Sequence, residues 1–263
     1  MRMMRALWAY RGFILGSVRR EFQSKYSNSL LGAAWTVINP LAMIVVYTVI
    51  FSQVMQAKLP GVDSKFAYSI YLCAGVLTWT FFAEVVSRTQ NVFLEQANLL
   101  KKISFPRLCL PVIVVANASL NFAIIFGLFS VFLALSGNFP GVVYLAMIPV
   151  LLIQIAFSAG LGVTLGVLNV FFRDVGQLFG VVLQFWFWLT PVVYPANILP
   201  PFMQKIISYN PMTSLIGAYQ DILVHAKWPD WSSLSVVSVL AVLLCIWGMR
   251  LFRNHAGEMV DEL

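Results

Sequence analysis

The chain has 263 residues, of which 60% are hydrophobic and 10% are charged, and its formal net charge is +7. Soluble domains have about 45–50% apolar and about 25% charged residues. Here 17 basic and 10 acidic side chains are too few to cover a soluble protein of this length. The composition therefore excludes a soluble enzyme or a nucleic-acid-binding domain and favours one polytopic, all-α membrane domain over residues 1–263.

The first 27 residues are predicted to form a basic amphipathic helix. Six basic residues lie in this segment, and its apolar residues recur at helical spacing. The apolar stripe consists of Leu7, Tyr10, Ile14, Val18 and Phe22. A helix of this kind lies in the membrane interface. The alternative is a solvated charged tail.

Six later segments are apolar enough to cross a membrane, which requires about 20 residues each. They are residues 30–53, 66–87, 108–135, 141–170, 177–194 and 233–252. Each is predicted to be helical, because lipid offers the backbone no hydrogen-bond partner.

The distribution of basic residues predicts the orientation. If the N-terminus lies in the cytoplasm, 13 of the 17 Lys and Arg residues fall in inner segments and 4 in outer segments. Cytoplasmic loops carry an excess of Lys and Arg. We therefore expect both termini on the cytoplasmic side, which an even number of spans allows.

Two connecting segments are long enough to have structure of their own. The inner segment, residues 88–107, mixes apolar and charged residues and is predicted to form a short helix that contacts a partner. The outer segment, residues 195–232, contains five prolines, which break helices. Two short amphipathic stretches within it, 198–208 and 212–226, are predicted to be re-entrant or surface helices at the outer face.

The sequence contains no recognisable catalytic, metal or nucleotide site. The dipeptide Gly-Lys does not occur, so the phosphate-binding loop pattern is absent. Cys73, Cys109 and Cys245 lie in apolar segments at spacings that match no metal or redox motif, and His225 and His255 are far apart. We therefore expect no cofactor in this chain. A membrane enzyme whose catalytic residues are not recognisable in the sequence stays an alternative.

Two spacings within the spans indicate helix contacts. Glu84 and Arg88 are four residues apart and are expected to pair on one helix face, either as a structural pair or as a gate or interface contact. Ser158, Gly162 and Gly166 also repeat every four residues, which is typical of a small-residue face where membrane helices approach closely.

Aromatic residues make up 14% of the chain, and some of them belong to the aromatic belts at the membrane interfaces. Rings near the middle or one end of a span can stack on the apolar faces of sugars. The alternative is that they face lipid or pack inside the protein. The candidate conduit-lining residues are Trp79, Phe82, Trp186, Trp188 and Tyr194.

Without a nucleotide site or a deep intramembrane carboxylate, the chain needs an energised partner, unless it is a passive channel. Several motifs, in the same order along the chain, resemble the permease subunits of ATP-binding-cassette exporters of polysaccharides, O-antigen exporters above all. These motifs are Lys25–Gly32 with Trp35 and Pro40, Leu100–Arg107 with Pro111, Asn169–Val175, Pro191–Pro195 and Asn210–Met212.

The resemblance implies a complex of two permeases and two ATPases, in which the ATPases bind ATP and Mg²⁺. It implies that the segment after the second span is a gate and coupling helix against the ATPase, and that the turn after the fourth span is a second contact. The predicted coupling residues are Lys101, Lys102, Phe105, Pro106, Arg107, Arg173 and Asp174.

The resemblance also implies the substrate, an undecaprenyl-diphosphate-linked polysaccharide that crosses the bacterial inner membrane unchanged. The two short outer helices would be periplasmic gate helices. Arg19, Arg20 and Lys25 could meet the lipid diphosphate, although anionic membrane lipids are the commoner partner. Export of capsule, teichoic acid, a small lipid or a drug is the alternative.

Overall fold

A computed structural model describes residues 8–24, 34–50, 59, 66–102 and 105–262, without the side chains at 36, 102, 260 and 261. Over these ranges the chain is helical with short connections and contains no strand. The helices are α1 Arg11–Ser24, α2 Trp35–Thr48, α3 Ala67–Glu95, α4 Ala97–Lys102, α5 Cys109–Leu135, α6 Met147–Phe171, α7 Asp174–Trp188, α8 Pro201–Ser208, α9 Pro211–His225, α10 Trp231–His255 and α11 Glu258–Glu262. Short 3-10 segments precede α6 and α8, at Gly141–Ala146 and Ala196–Ile198.

Four of the predicted spans are confirmed as helices long and apolar enough to cross a membrane: α3, α5, α10, and α6 with its preceding 3-10 turn. Helices α2 and α7 have 14 and 15 residues. At 1.5 Å per residue each is about 21–23 Å long, shorter than the hydrocarbon core of about 30 Å. The count of six spans is therefore not confirmed, and the predicted first span, 30–53, extends outside the described residues at both ends.

Two predicted boundaries were wrong. Helix α3 continues to Glu95 rather than ending at residue 87, because residues 88–95 contain no helix breaker and Val92 and Phe93 are buried. Helix α7 begins at Asp174 and ends at Trp188, so residues 189–194, predicted to be helical, form turns. Pro191 has no N–H to donate, which makes continuation of the helix there unfavourable.

Helix α3 lies at the centre of the bundle and packs against α5, α6 and α9. Its contact with α6 uses the predicted small-residue face. A Cβ atom on Gly162 would lie 2.8 Å from Thr89 Cβ, and one on Gly166 would lie 2.9 Å from Thr89 O. The close approach of the two backbones is therefore confirmed, and it depends on the absence of side chains at these glycines.

Helix α9 is buried within the bundle, although it is too short to cross it. Met212, Leu215, Tyr219 and Ile222 are inaccessible to solvent, and the helix contacts α3, α6 and α10. Residues 212–226 were predicted to form either a re-entrant or a surface helix, and the prediction of a surface helix is therefore wrong. Its partner α8 is mainly exposed, with Ile207 as the one buried residue.

The N-terminus of α10 is capped by a carboxylate outside the apolar segment. Asp230 accepts hydrogen bonds from the backbone N–H of Ser232 at 3.0 Å and from the hydroxyls of Ser232 and Ser233. The bond from the Ser232 side chain, followed by that from Ser233, lowers the pKa of Asp230 to about 2. The cap therefore stays ionised at neutral pH and stabilises the first turn.

Helices α3, α6 and α10 all end on one side of the bundle, where α4 lies and α5 begins; we call this the α4 end. Ring contacts join the three helix ends there. The centroids of Phe93 and Phe252 are 5.7 Å apart, and those of Phe171 and His255 are 5.6 Å apart. The chain direction therefore brings segments far apart in sequence to a common end.

Candidate functional site

The two predicted coupling segments meet at the α4 end. Asn169, near the end of α6, donates to the backbone oxygen of Gln90 at 3.3 Å and accepts from the backbone N–H of Gly176 at 2.8 Å. One side chain therefore fastens the turn that contains Arg173 and Asp174 to helix α3, which leads directly into α4. We expect a force applied to either segment to reach the other through this attachment.

The predicted coupling residues differ in exposure. Lys101, Arg173 and Asp174 are exposed, whereas Phe105, Pro106 and Arg107 are half-buried. The side chain of Lys102 lies outside the described part of the chain.

Two aromatic residues at the α4 end, Phe13 and Phe172, were not among the predicted coupling residues. The Phe105 ring lies 5.3 Å from the ring of Phe13, so α1 packs directly on the segment that follows α4. Phe172, next to Arg173, is 65% exposed. Aromatic residues are enriched in protein–protein interfaces. Residue 172 lies inside the quoted Asn169–Val175 motif, which is the signal that could have found it.

Five polar side chains between α1, α3 and α5 form a network that we call the polar clamp: Glu21, Glu84, Arg88, Asn117 and Asn121. Arg88 forms ion pairs with Glu21 and, at 3.4 Å, with Glu84, which confirms the predicted pair on α3. Asn117 donates to Glu21, and Asn121 donates to Glu84 at 3.5 Å. The polar clamp therefore joins three helices across an otherwise apolar contact.

The sequence analysis did not find Glu21, which lies 67 residues from Arg88. It is the only acidic residue among the basic first 27, and that was the available signal. The basic residues on the same helix are not part of the network. Arg19 and Arg20 are exposed, Arg20 donates to Ser17 at 3.0 Å, and Lys25 lies outside the described residues.

Most of the candidate conduit aromatics pack within this chain. Trp79 and Phe82 are buried, and the Trp186 ring lies 5.3 Å from that of Phe82. The Trp186 indole also donates to Asn210 Oδ1 at 2.8 Å, which connects α7 to the residue that caps α9. Trp79, Phe82 and Trp186 therefore pack mainly in the core of this chain.

Trp188 and Tyr194 lie nearer the surface than the packed rings. The Tyr194 hydroxyl donates to the backbone oxygen of Trp188 at 2.6 Å, and its side chain is half-buried. Trp188 is 64% exposed. Of the five candidate rings, Trp188 is therefore the one that presents most of its face outside the chain.

A second cluster fastens residues Pro191–Tyr194 to the opposite end of α3. The Tyr71 hydroxyl lies 3.1 Å from Pro191 O and 2.9 Å from Tyr194 O. Gln220 on α9 donates to Pro191 O at 3.2 Å. A Cβ atom on Gly75 would lie 2.5 Å from Val192 O. This segment therefore lies against the backbone of α3, and sequence reasoning did not predict that contact.

Within the described ranges, no three His, Cys, Asp or Glu side chains gather into a possible metal site. The comparison with known families is more informative. The model of the ABC-2 type transporter family matches residues 14–224. This chain belongs to that family. ABC-2 permeases are membrane subunits of transporters, so the chain is a multi-pass membrane protein of that kind.

Relatives of this ABC-2 permease are named for polysaccharide export. It is 30% identical over 264 residues, all of this chain and 99% of the relative, to the O-antigen export system permease protein RfbA of Myxococcus xanthus. It is 28% identical to RfbA of Klebsiella pneumoniae, over 93% of this chain and 92% of the relative. It is 17% identical to the polysialic acid transport protein KpsM of Escherichia coli, over 92% and 93%.

The family match extends from α1 into α9 and therefore includes the polar clamp, the Arg173–Asp174 turn and the Pro191–Tyr194 segment. The resemblance found in the sequence motifs is thus confirmed for the family and for the general kind of cargo. The family also implies an ABC ATPase as the partner of this permease.

Proposed function

We propose that this permease exports an undecaprenyl-diphosphate-linked, O-antigen-like polysaccharide across the bacterial inner membrane, as a homodimer driven by two ATPase subunits. Both termini and the α4 end lie in the cytoplasm. The observation that supports this most is the attachment of the Arg173–Asp174 turn to α3 through Asn169, which gives a partner ATPase two linked contacts on one side.

The face of α7 supports a conduit between two copies. Only Phe179 is buried on this helix, and apolar side chains at helical spacing are exposed along it. The exposed residues are Leu178, Val181, Val182, Phe185, Trp188 and Leu189. A second copy packed near this stripe would enclose a path between the copies, with Trp188 as the ring that contacts the sugar chain.

The contact with the ATPase is tested by Phe105→Ala and Arg173→Glu. Each is expected to lower export about fivefold to thirtyfold, because loss of one important interface side chain costs about 1–2 kcal/mol of binding. The measurements are surface polysaccharide in a strain that makes the polymer and recovery of the ATPase with the purified permease.

Lys227→Glu is the matched control, since Lys227 is an exposed basic residue between α9 and α10, outside both predicted gate helices and both contacts. It should leave both measurements unchanged. Normal surface polysaccharide and normal ATPase recovery in Arg173→Glu and Phe105→Ala would contradict the coupling role.

The conduit is tested by Trp188→Ala, which is expected to slow export severalfold while changing the free energy of unfolding by less than about 0.5 kcal/mol, as is usual for an exposed side chain. Trp186→Phe is the control: it keeps a ring but loses the bond to Asn210, so stability should fall by about 1 kcal/mol. Thermal unfolding and export rates are measured together. If Trp188→Ala exports at the wild-type rate, the Trp188 ring faces lipid and does not line the conduit.

Capsule export is the second candidate, because the chain also resembles a polysialic acid transport protein over most of its length. Deletion of the gene separates the two. Accumulation of undecaprenyl-linked O-antigen in the cytoplasm supports the first proposal, and accumulation of a capsular polymer supports the second. Teichoic acid, small-lipid or drug export would leave both polymers unchanged.

A further inference from the structure

An apolar groove of about 340 Å³ lies between α5, α6 and α10, outside the polar clamp and next to Arg107, the last residue of the first coupling segment. Its walls include Leu108, which caps α5, Val115 from α5, Ala159 from α6, and Cys245 and Met249 from α10. Every lining side chain is apolar or a thiol. The volume is at the lower end of the range for ligand pockets, which is about 300–1,000 Å³.

The groove exists because α6 lies close to α10 and less close to α5. A Cβ atom on Gly160 would lie 2.8 Å from the backbone N of Cys245, so α6 and α10 are in direct backbone contact. Helix α5 instead packs mainly against α3. A gap therefore remains over α6, between α5 and α10.

The groove lies in membrane-spanning helices, toward the α4 end. Leu108 precedes the first turn of α5, and Met249 is near the end of α10. Three arginines flank this end: Arg107 directly precedes Leu108, Arg250 directly follows Met249, and Arg253 lies one turn further along α10. None of the three forms an ion pair with a described carboxylate.

We propose that the groove binds an acyl chain of an anionic phospholipid from the surrounding membrane, with the lipid phosphate at Arg107 and Arg250. The walls offer nothing to a polar ligand, whereas they match an acyl chain at the same depth. Guanidinium groups that pair with none of the described carboxylates favour an anionic headgroup over a zwitterionic one, by about 1 kcal/mol for each basic residue.

Lipid retention by the purified full-length permease tests this proposal. The protein is equilibrated with an equal mixture of phosphatidylglycerol and phosphatidylcholine, and the bound lipid is counted by native mass spectrometry. The wild type should retain phosphatidylglycerol preferentially. Arg107→Gln and Arg250→Gln should each lower that preference about fivefold, the ratio that corresponds to about 1 kcal/mol.

Two further variants test the groove itself. Ala159→Phe fills it and should lower retained phosphatidylglycerol at least about tenfold, with Ala116→Leu as a second filling variant if the first does not fold. Leu152→Phe is the matched control, since Leu152 is 61% exposed on the same helix α6 and does not line the groove. It should retain lipid as the wild type does.

Several outcomes would overturn the proposal. They are equal retention of the two phospholipids by the wild type, unchanged retention in the filled variants, and displacement of phosphatidylglycerol by a polyprenyl diphosphate. A second copy as occupant would appear as a disulfide-linked dimer through Cys245, the one cysteine of three that is not buried, after oxidation of intact membranes. Lipid counting does not depend on transport, so its failure is distinguishable from failure of the proposed export function.

Discussion

Arg88→Gln is expected to lower the free energy of unfolding by about 1–3 kcal/mol. The substitution removes the cation of the polar clamp and leaves the carboxylates of Glu21 and Glu84 facing each other without a counter-charge. Loss of one partner from a fully buried ion pair costs about 3–5 kcal/mol. Arg88 and Glu21 are 36% and 40% exposed, so solvent screens part of that cost. Thermal unfolding of the purified permease at neutral pH measures the effect.

The neutral variant Glu21→Gln/Glu84→Gln/Arg88→Gln is the control for this prediction. It keeps polar side chains at all three positions and removes their charges, so no unpaired charge is left, and stability should return toward the wild-type value. Two results would contradict this explanation. They are a single Arg88→Gln variant that is as stable as the wild type, and a triple variant that is no more stable than the single one.

The consequence of Arg88→Gln for α1 can be measured separately. None of the residues of α1 is buried, so this helix gains little from hydrophobic burial. Its attachments include the ion pair of Glu21 with Arg88, the hydrogen bond that Glu21 accepts from Asn117, and the ring contact of Phe13 with Phe105. We expect backbone deuterium uptake over residues 11–24 to rise in Arg88→Gln and to stay unchanged in α10.

Hydropathy and length were sufficient to predict α3, α5, α6 and α10, because a span of about 20 apolar residues has few alternatives to a membrane helix. The same reasoning placed the ends of helices poorly. It ended α3 directly before Arg88, although Arg88 has its partner Glu84 on the same helix and the helix continues for two more turns.

Contacts between distant segments could not be predicted from composition or spacing. The pair of Glu84 and Arg88 follows from helical periodicity, whereas the pair of Arg88 and Glu21 depends on how α1 packs against α3 and α5. Similarly, the sequence does not distinguish the buried ring of Trp79 from the exposed ring of Trp188, since both lie in aromatic, apolar segments. The burial of a side chain depends on how the helices pack together, so the local sequence pattern does not predict it.

Gly75→Ala is expected to destabilise the protein by about 1–3 kcal/mol, although the same change in a helix normally stabilises it by up to about 1 kcal/mol. The new Cβ would lie 2.5 Å from Val192 O, and a backbone atom cannot yield as a side chain can. The segment Pro191–Tyr194 would have to move away from α3 and weaken its bonds to Tyr71 and Gln220. Thermal unfolding of the purified permease gives the sign and the size.

Gly217→Ala is the matched control, because Gly217 also lies in a helix and a Cβ there would meet nothing within 4 Å. The two substitutions should change stability in opposite directions, and an equal effect of both would exclude the close contact at Gly75. A double variant with Tyr71→Phe locates the movement. If Gly75→Ala has already displaced the Pro191–Tyr194 segment, the hydrogen bonds of the Tyr71 hydroxyl are already weakened, and removing that hydroxyl costs little more. The stability losses of the two single variants should therefore sum to more than the stability loss of the double variant. Strict additivity would instead place the strain of Gly75→Ala elsewhere on α3.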